Sequence, residues 1–150
     1  MKIISKVLAL MAVIAFVGCA GQSGGGSTAN VASSSNKPLS ITTPATLTNV
    51  SSPLKVCMAT KGYTVEPAKN GVNTGKGHHH LLIDVPVPSD LSKPIGKDEN
   101  HVHMGDGSKC KTLDLAKGQH TITALFAQGN HVPYNAAVSD GVTVFVTNVK

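Results

Sequence analysis

The chain has 150 residues, with thirteen Lys, no Arg, no Trp and eight acids, for a formal net charge of +5; aromatic residues make up 3% of it. A nucleic-acid binder needs clustered Arg/Lys and aromatics for stacking, so this composition argues against that class, and the lysines read as a solvated surface. Two Lys belong to the N-terminal leader described next, which leaves eleven against eight acids, a mild net of +3.

The first residues, MKIISKVLALMAVIAFVGCAG, place Lys2 and Lys6 ahead of an uninterrupted apolar run, Val7 to Val17. The run is shorter than the roughly 20 residues of a membrane-spanning helix and has the length of a secretory h-region. It ends at Val17-Gly18-Cys19, which resembles the lipobox of bacterial lipoproteins; the alternative is an ordinary signal with a chance Cys. The resemblance implies a signal peptide over residues 1–18, cleavage before Cys19, and two or three acyl chains on Cys19, each buried CH₂ adding about 0.8 kcal/mol of membrane affinity. If the cell is Gram-negative, Ala20 in the following position implies by the same resemblance the outer membrane, with the protein on its periplasmic face. Residues 19–37 are then a Gly/Ser-rich flexible linker. Residues 38–150 form one domain of common size.

Within that domain the patterning is period two rather than 3.6. The expected strands are Leu39–Thr43, Leu54–Thr60, Tyr63–Glu66, His79–Val85, Cys110–Leu115, His120–Gln128 and Val142–Val149. Turn signals separate them at Ser51-Ser52-Pro53, Lys69-Asn70-Gly71, Pro86 and Pro88, Gly105-Asp106-Gly107, Lys117-Gly118 and Ser139-Asp140-Gly141. About seven short strands in roughly 100 residues predict a small all-β domain, an immunoglobulin-like antiparallel β-sandwich. Its core is expected to be aliphatic, because Tyr63, Phe126, Tyr134 and Phe145 are the aromatics it has to draw on. The last strand, apolar on alternating positions of both faces, is expected to be buried on both.

Besides Cys19, the chain has Cys57 and Cys110. An exported pair sits where disulfides persist, and at a separation of 53 residues a bond is worth about 4 kcal/mol by the chain-entropy model. Two free thiols or thiolate metal ligands are the rivals. Alternation places both cysteines on the outward faces of their strands, which suits a surface staple better than a buried inter-sheet bridge.

All seven histidines lie between positions 78 and 131. In an extended strand His78, His80, Leu82 and Asp84 share one side, and His79, Leu81, Ile83 and Val85 share the other, which looks like the core side. His101 and His103 are again two apart. Paired rings on one side of extended strands suit copper or zinc. Asp84 is a further candidate, as ligand or as hydrogen-bond partner to the second nitrogen of a ligand ring, and Met104 adds a soft thioether that suits Cu(I). The candidate metal set is therefore His78, His80, His101 and His103 with Asp84, Met104 and His131. The alternative is a hydrogen-bond network in which these histidines lock loops and hold no ion. His120 reads as structural and His79 as packed; His131 is open between the two.

Other chemistry is thin. There is no G-x-S-x-G elbow, no phosphate-cradling glycine loop and no H-E-x-x-H, so no enzymatic activity is expected. His101-Val102-His103 followed by Gly105-Asp106-Gly107 is similar to a segment of copper-zinc superoxide dismutases, but those enzymes also need a functional Arg, and this chain has none.

A broader likeness covers residues 50–149. It runs through Ser52-Pro53-Leu54-Lys55-Val56, Gly62-Tyr63-Thr64-Val65-Glu66-Pro67-Ala68, Gly77-His78-His79-His80-Leu81-Leu82-Ile83-Asp84, His101-Val102-His103-Met104-Gly105-Asp106-Gly107, Leu113 through Thr121, and Asn130-His131-Val132-Pro133. This succession resembles the bacterial family known as domain of unknown function 4399. The resemblance implies an exported, immunoglobulin-like domain, often a lipoprotein, whose His motifs belong to the family pattern. The family commonly carries Thr-Glu at Lys109-Cys110 and an aromatic near Cys57; both departures fall at cysteines, which implies a pair acquired together as a disulfide. The expected function is non-catalytic binding by a lipid-anchored envelope protein through a His-rich surface, with a transition metal or an envelope protein as partner.

Overall fold

A computed structural model of the chain describes residues 36–135 and 138–150. The expected signal peptide, the lipidated Cys19 and nearly all of the linker lie outside the described residues. The described residues belong to one compact unit.

Among the described residues there are nine strands: β1 (Leu39–Thr43), β2 (Thr48–Ser52), β3 (Leu54–Thr60), β4 (Thr64–Val65), β5 (Lys76–Ile83), β6 (His101–Met104), β7 (Cys110–Leu113), β8 (Gly118–Ala127) and β9 (Ser139–Val149). A short 3-10 turn spans Ala68–Asn70. The first sheet is β1-β3-β7; the second is β2-β9-β8-β5, with β4 and β6 both pairing with β5. The chain start is divided between the sheets: β1 pairs antiparallel with β3, and β2 pairs parallel with β9. After β3 the path crosses to β5 and β6, returns to β7, and crosses again to β8 and β9. Two face-to-face sheets with these Greek-key crossings form an immunoglobulin-like sandwich.

Alternation builds the core between the sheets. Leu54, Val56 and Met58 of β3 meet Leu81, Ile83, Ile122, Ala124, Phe126, Val142, Val144 and Val146 of the opposite sheet. Phe126 is fully buried and packs edge-on against Tyr63 at 5.5 Å between ring centroids, so the aliphatic core has one small aromatic centre. The expected burial of β9 on both faces is corrected. Its Val142, Val144 and Val146 face is buried, but Thr143 and Phe145 are half-covered and Thr147 and Val149 exposed, because no further layer among the described residues lies over them.

The doubly buried strand is β5 instead, covered from Gly77 to Ile83. The segment that follows it folds back over its outer face, where Leu82, Leu125, Ala127 and Ile95 form a second apolar cluster with Val85 and Val87 against them. The amide of Ile95 donates to the carbonyl of His131 (2.9 Å), which ties this cover to the β8–β9 loop. Two other expectations change. Ser139-Asp140-Gly141 is not a turn but the start of β9, paired with Thr123–Leu125, and Asp140 accepts from the amide of Ile41 (2.9 Å). β2, whose sequence TNVSS has no apolar alternation, is held by its ladder to β9.

Cys57 and Cys110 are bonded. They stand directly opposite each other on β3 and β7, with Cα atoms 4.1 Å apart, half-buried on the outward face. This is the surface staple that alternation indicated, and it removes both thiols from any ligand set.

Candidate metal centre

Three elements bring four imidazoles together. β5 carries His78 and His80 on its outer face. β6 pairs antiparallel with β5 and places His103 directly opposite His80. The β8–β9 loop returns His131, whose φ of 68° and amide bond to the Gln128 carbonyl (2.8 Å) turn its ring toward β5. His78 Nε2 lies 3.0 Å from His80 Nε2 and 3.3 Å from His131 Nδ1. One ring nitrogen from each of His78, His80, His103 and His131 falls within 4.8 Å of the others. A tetrahedral ion with metal–nitrogen bonds of about 2.0–2.1 Å sets its ligand nitrogens about 3.3–3.4 Å apart; the two His78 spacings, 3.0 and 3.3 Å, lie close to that, while the spacing bound for the whole group, 4.8 Å, is looser. A cavity of about 190 Å³ opens over the cluster, lined by His80, Ile95, Gly96, Lys97, His103 and His131. His78 lies beneath, fully buried.

Burial sets the protonation. His80 is pushed down to about 3 by desolvation, then by His78, His103, His131 and His101. His78 falls to about 4 by desolvation, with His103 and His131 adding to it. His103 is lowered by desolvation, His131 and Lys97, against the opposing pull of Asp106. At neutral pH these three rings are therefore uncharged, the form that ligates metal. Hydrogen bonding does not satisfy the group. The single hydrogen or lone pair on His78 Nε2 faces two neighbouring ring nitrogens, while His78 Nδ1, His80 Nδ1 and His103 Nε2 are buried without partners. Each unpaired buried group costs about 1–3 kcal/mol.

The remaining expected ligands are held elsewhere. His101 shares the His103 side of β6, but its Nδ1 bonds Asp98 Oδ1 at 2.8 Å, and it is not one of the four converging rings. Asp84 is corrected as both ligand and support for a ligand ring. It ends β5 with φ 57°, its Oδ2 meets His120 Nδ1 at 2.7 Å, and its Oδ1 accepts from the amide of Thr121 at 2.7 Å. Met104 is corrected as well: one residue on from His103, it points into the core and is 3% exposed. His79 is packed as expected, its ring centroid 5.2 Å from that of Phe126.

His120 is structural as expected. Its Nε2 also lies 2.9 Å from the Ala116 carbonyl. Two acceptors demand two N–H groups, so burial, which opposes the charge, is outweighed by Asp84 and Ala116 and the pKa is raised. Sequence reasoning missed Lys97 and Gly105. A Cβ on Gly105 would overlap the His103 ring, so the glycine after His103-Met104 is what lets that ring lie flat over the chain.

The profile of the family described as "Domain of unknown function (DUF4399)" matches residues 56–147, and the chain belongs to that family. No match was found among curated proteins. Among solved structures, the fibronectin(III)-like modules of CbhA from Clostridium thermocellum are similar, at 14% identity and a TM-score of 0.43, covering 75% of this chain and 99% of that one.

Proposed function

For this member of the DUF4399 family, we propose a lipid-anchored envelope protein that binds one transition-metal ion through His78, His80, His103 and His131, without catalysis. The observation behind this reading is the convergence of four ring nitrogens, two of them on fully buried rings, in a cluster whose hydrogen bonds cannot all be made. A cation accepts the facing lone pairs that neutral imidazoles leave opposed. The donor set is all nitrogen, because Met104 faces the core and the cysteines are bonded. This favours Zn(II) or Cu(II) over Cu(I). No carboxylate supports His78 Nδ1 or His80 Nδ1; such supports are typically worth about 10–100-fold in affinity each, so the site holds metal exchangeably rather than permanently. The lipid anchor rests on the Val17-Gly18-Cys19 motif and the Gly/Ser stretch after it; the envelope location follows from the anchor.

The test uses residues 32–150, which contain every core residue. Chelator-stripped protein is titrated with Zn(II) and Cu(II) by calorimetry. One equivalent should bind, and the His80→Ala, His103→Ala double variant should lose it while retaining its thermal transition. Absence of a stoichiometric site in the parent would leave these histidines as loop locks, the role that His101–Asp98 and His120–Asp84 already fill.

A further inference from the structure

We propose that the metal held by this cluster keeps one coordination position open to the cavity, and that Lys97 makes that position a site for a small anion. The inference rests on the metal reading above and adds an exogenous ligand to it.

Three observations support it. The four rings do not surround the converging point evenly: His80, His103 and His131 line the 190 Å³ cavity, whereas His78 closes it from below, buried in the sheet. An ion among them has protein on one side and open volume on the other, so a ligand from solution would enter as a fifth donor, a position that the tetragonal geometry of Cu(II) offers and a closed tetrahedral site does not. The cavity holds roughly six waters at about 30 Å³ each, so it suits an anion of a few heavy atoms. The third observation is charge. Lys97 lines this cavity together with His80, His103 and His131 and pairs with no acid among the described residues. A lone ammonium beside this cluster repels an incoming cation, so it works against a site for the bare metal alone. It favours a metal that arrives with, or then acquires, a negatively charged ligand. Asp106 acts on His103 with the opposite sign, but its carboxylate is engaged by the amide of Ser108 at 2.9 Å. Gly96, beside Lys97, has nothing within 4 Å of its Cβ position, so the rim is open for entry.

The class of ligand is a small anion with a nitrogen, oxygen or halide donor, and azide is the probe. Residues 32–150 are saturated with Cu(II), occupancy is measured by metal analysis, and azide is added in millimolar excess in a non-coordinating buffer. The expected result is a saturable azide-to-copper charge-transfer band and a changed copper EPR spectrum. In Lys97→Met at equal copper occupancy, azide should bind about three- to fivefold more weakly, the scale of one partly screened charge a few Å away. Added salt should weaken azide binding in the parent more than in the variant. Lys97→Arg should restore most of the affinity.

A copper spectrum indifferent to azide would mean a closed coordination sphere and would overturn this inference while leaving the metal reading intact. Equal azide affinity in the parent and Lys97→Met would remove Lys97 from the site. Failure of copper to bind in the first place would end both.

Discussion

Replacing His79 with Leu should make the domain more stable, and less sensitive to acid. The ring is fully buried against Phe126, and neither of its nitrogens has a partner. An apolar side chain of similar size removes that unmet hydrogen bonding, a gain of about 1–3 kcal/mol at neutral pH. The acid effect follows from the pKa, which desolvation, then His78 and Lys109, lower from 6.5 to about 4. Below pH 6.5 the unfolded chain takes a proton on this ring that the folded chain refuses until about pH 4. Falling pH therefore favours unfolding, and the stability present above 6.5 is lost across that window. At 1.36 kcal/mol per unit the contribution is about 3 kcal/mol. Urea unfolding at about pH 7.5 and about pH 4.5, which spans most of the window, measures both effects. The gap between variant and parent should widen by about 3 kcal/mol on acidification. A variant that is less stable at neutral pH, with a constant gap at both pH values, would refute the reasoning and imply a partner for His79 inside the core.

Gly105→Ala should push the His103 ring out of the cluster and lower metal affinity about tenfold or more, with little change in melting temperature; calorimetry and a thermal scan separate the two. Reducing the disulfide, or replacing Cys57 and Cys110 with Ser, should cost about 4 kcal/mol at a loop separation of 53 residues, read from the shift in urea midpoint. His120 behaves oppositely to the buried cluster. Its folded pKa is raised, so its pairing with Asp84 contributes in full below pH 6.5 and is lost as pH rises through the raised value. Asp84→Asn should abolish that alkaline loss, which solvent screening holds to about 1 kcal/mol or less.

Strand alternation made much of this fold legible. It placed His78, His80 and Leu82 on one side of β5 and His79, Leu81 and Ile83 on the other, and it turned both cysteines outward. What it could not show was the cover over β5. Whether the His78 face is surface or interior depends on Ile95 and Val87 folding back onto Leu82 and Leu125, a contact between residues that no local period relates. The choice among histidines was illegible for the same reason. His103 joins the site because the β5–β6 register sets it opposite His80, and the same spacing leaves His101 opposite Leu82, bonded to Asp98. His131 reaches His78 across 53 residues of chain. Asp84 looked like a ligand because it shares the face of His80, but a left-handed backbone at the strand end turns it toward His120. β2 was missed because its inward face, Thr48, Val50 and Ser52, carries a single apolar residue, and Ser51-Ser52-Pro53 reads as a turn.

The central claim is that four particular imidazoles share one ion, and ring nitrogen chemical shifts test it residue by residue. Zn(II) is titrated into chelator-stripped residues 32–150 labelled with ¹⁵N-histidine. One equivalent should move a single ring nitrogen in each of His78, His80, His103 and His131 and leave His79, His101 and His120 in place. Shifts at His101 or His120 with the four unmoved, or no shift at one equivalent, would contradict the account.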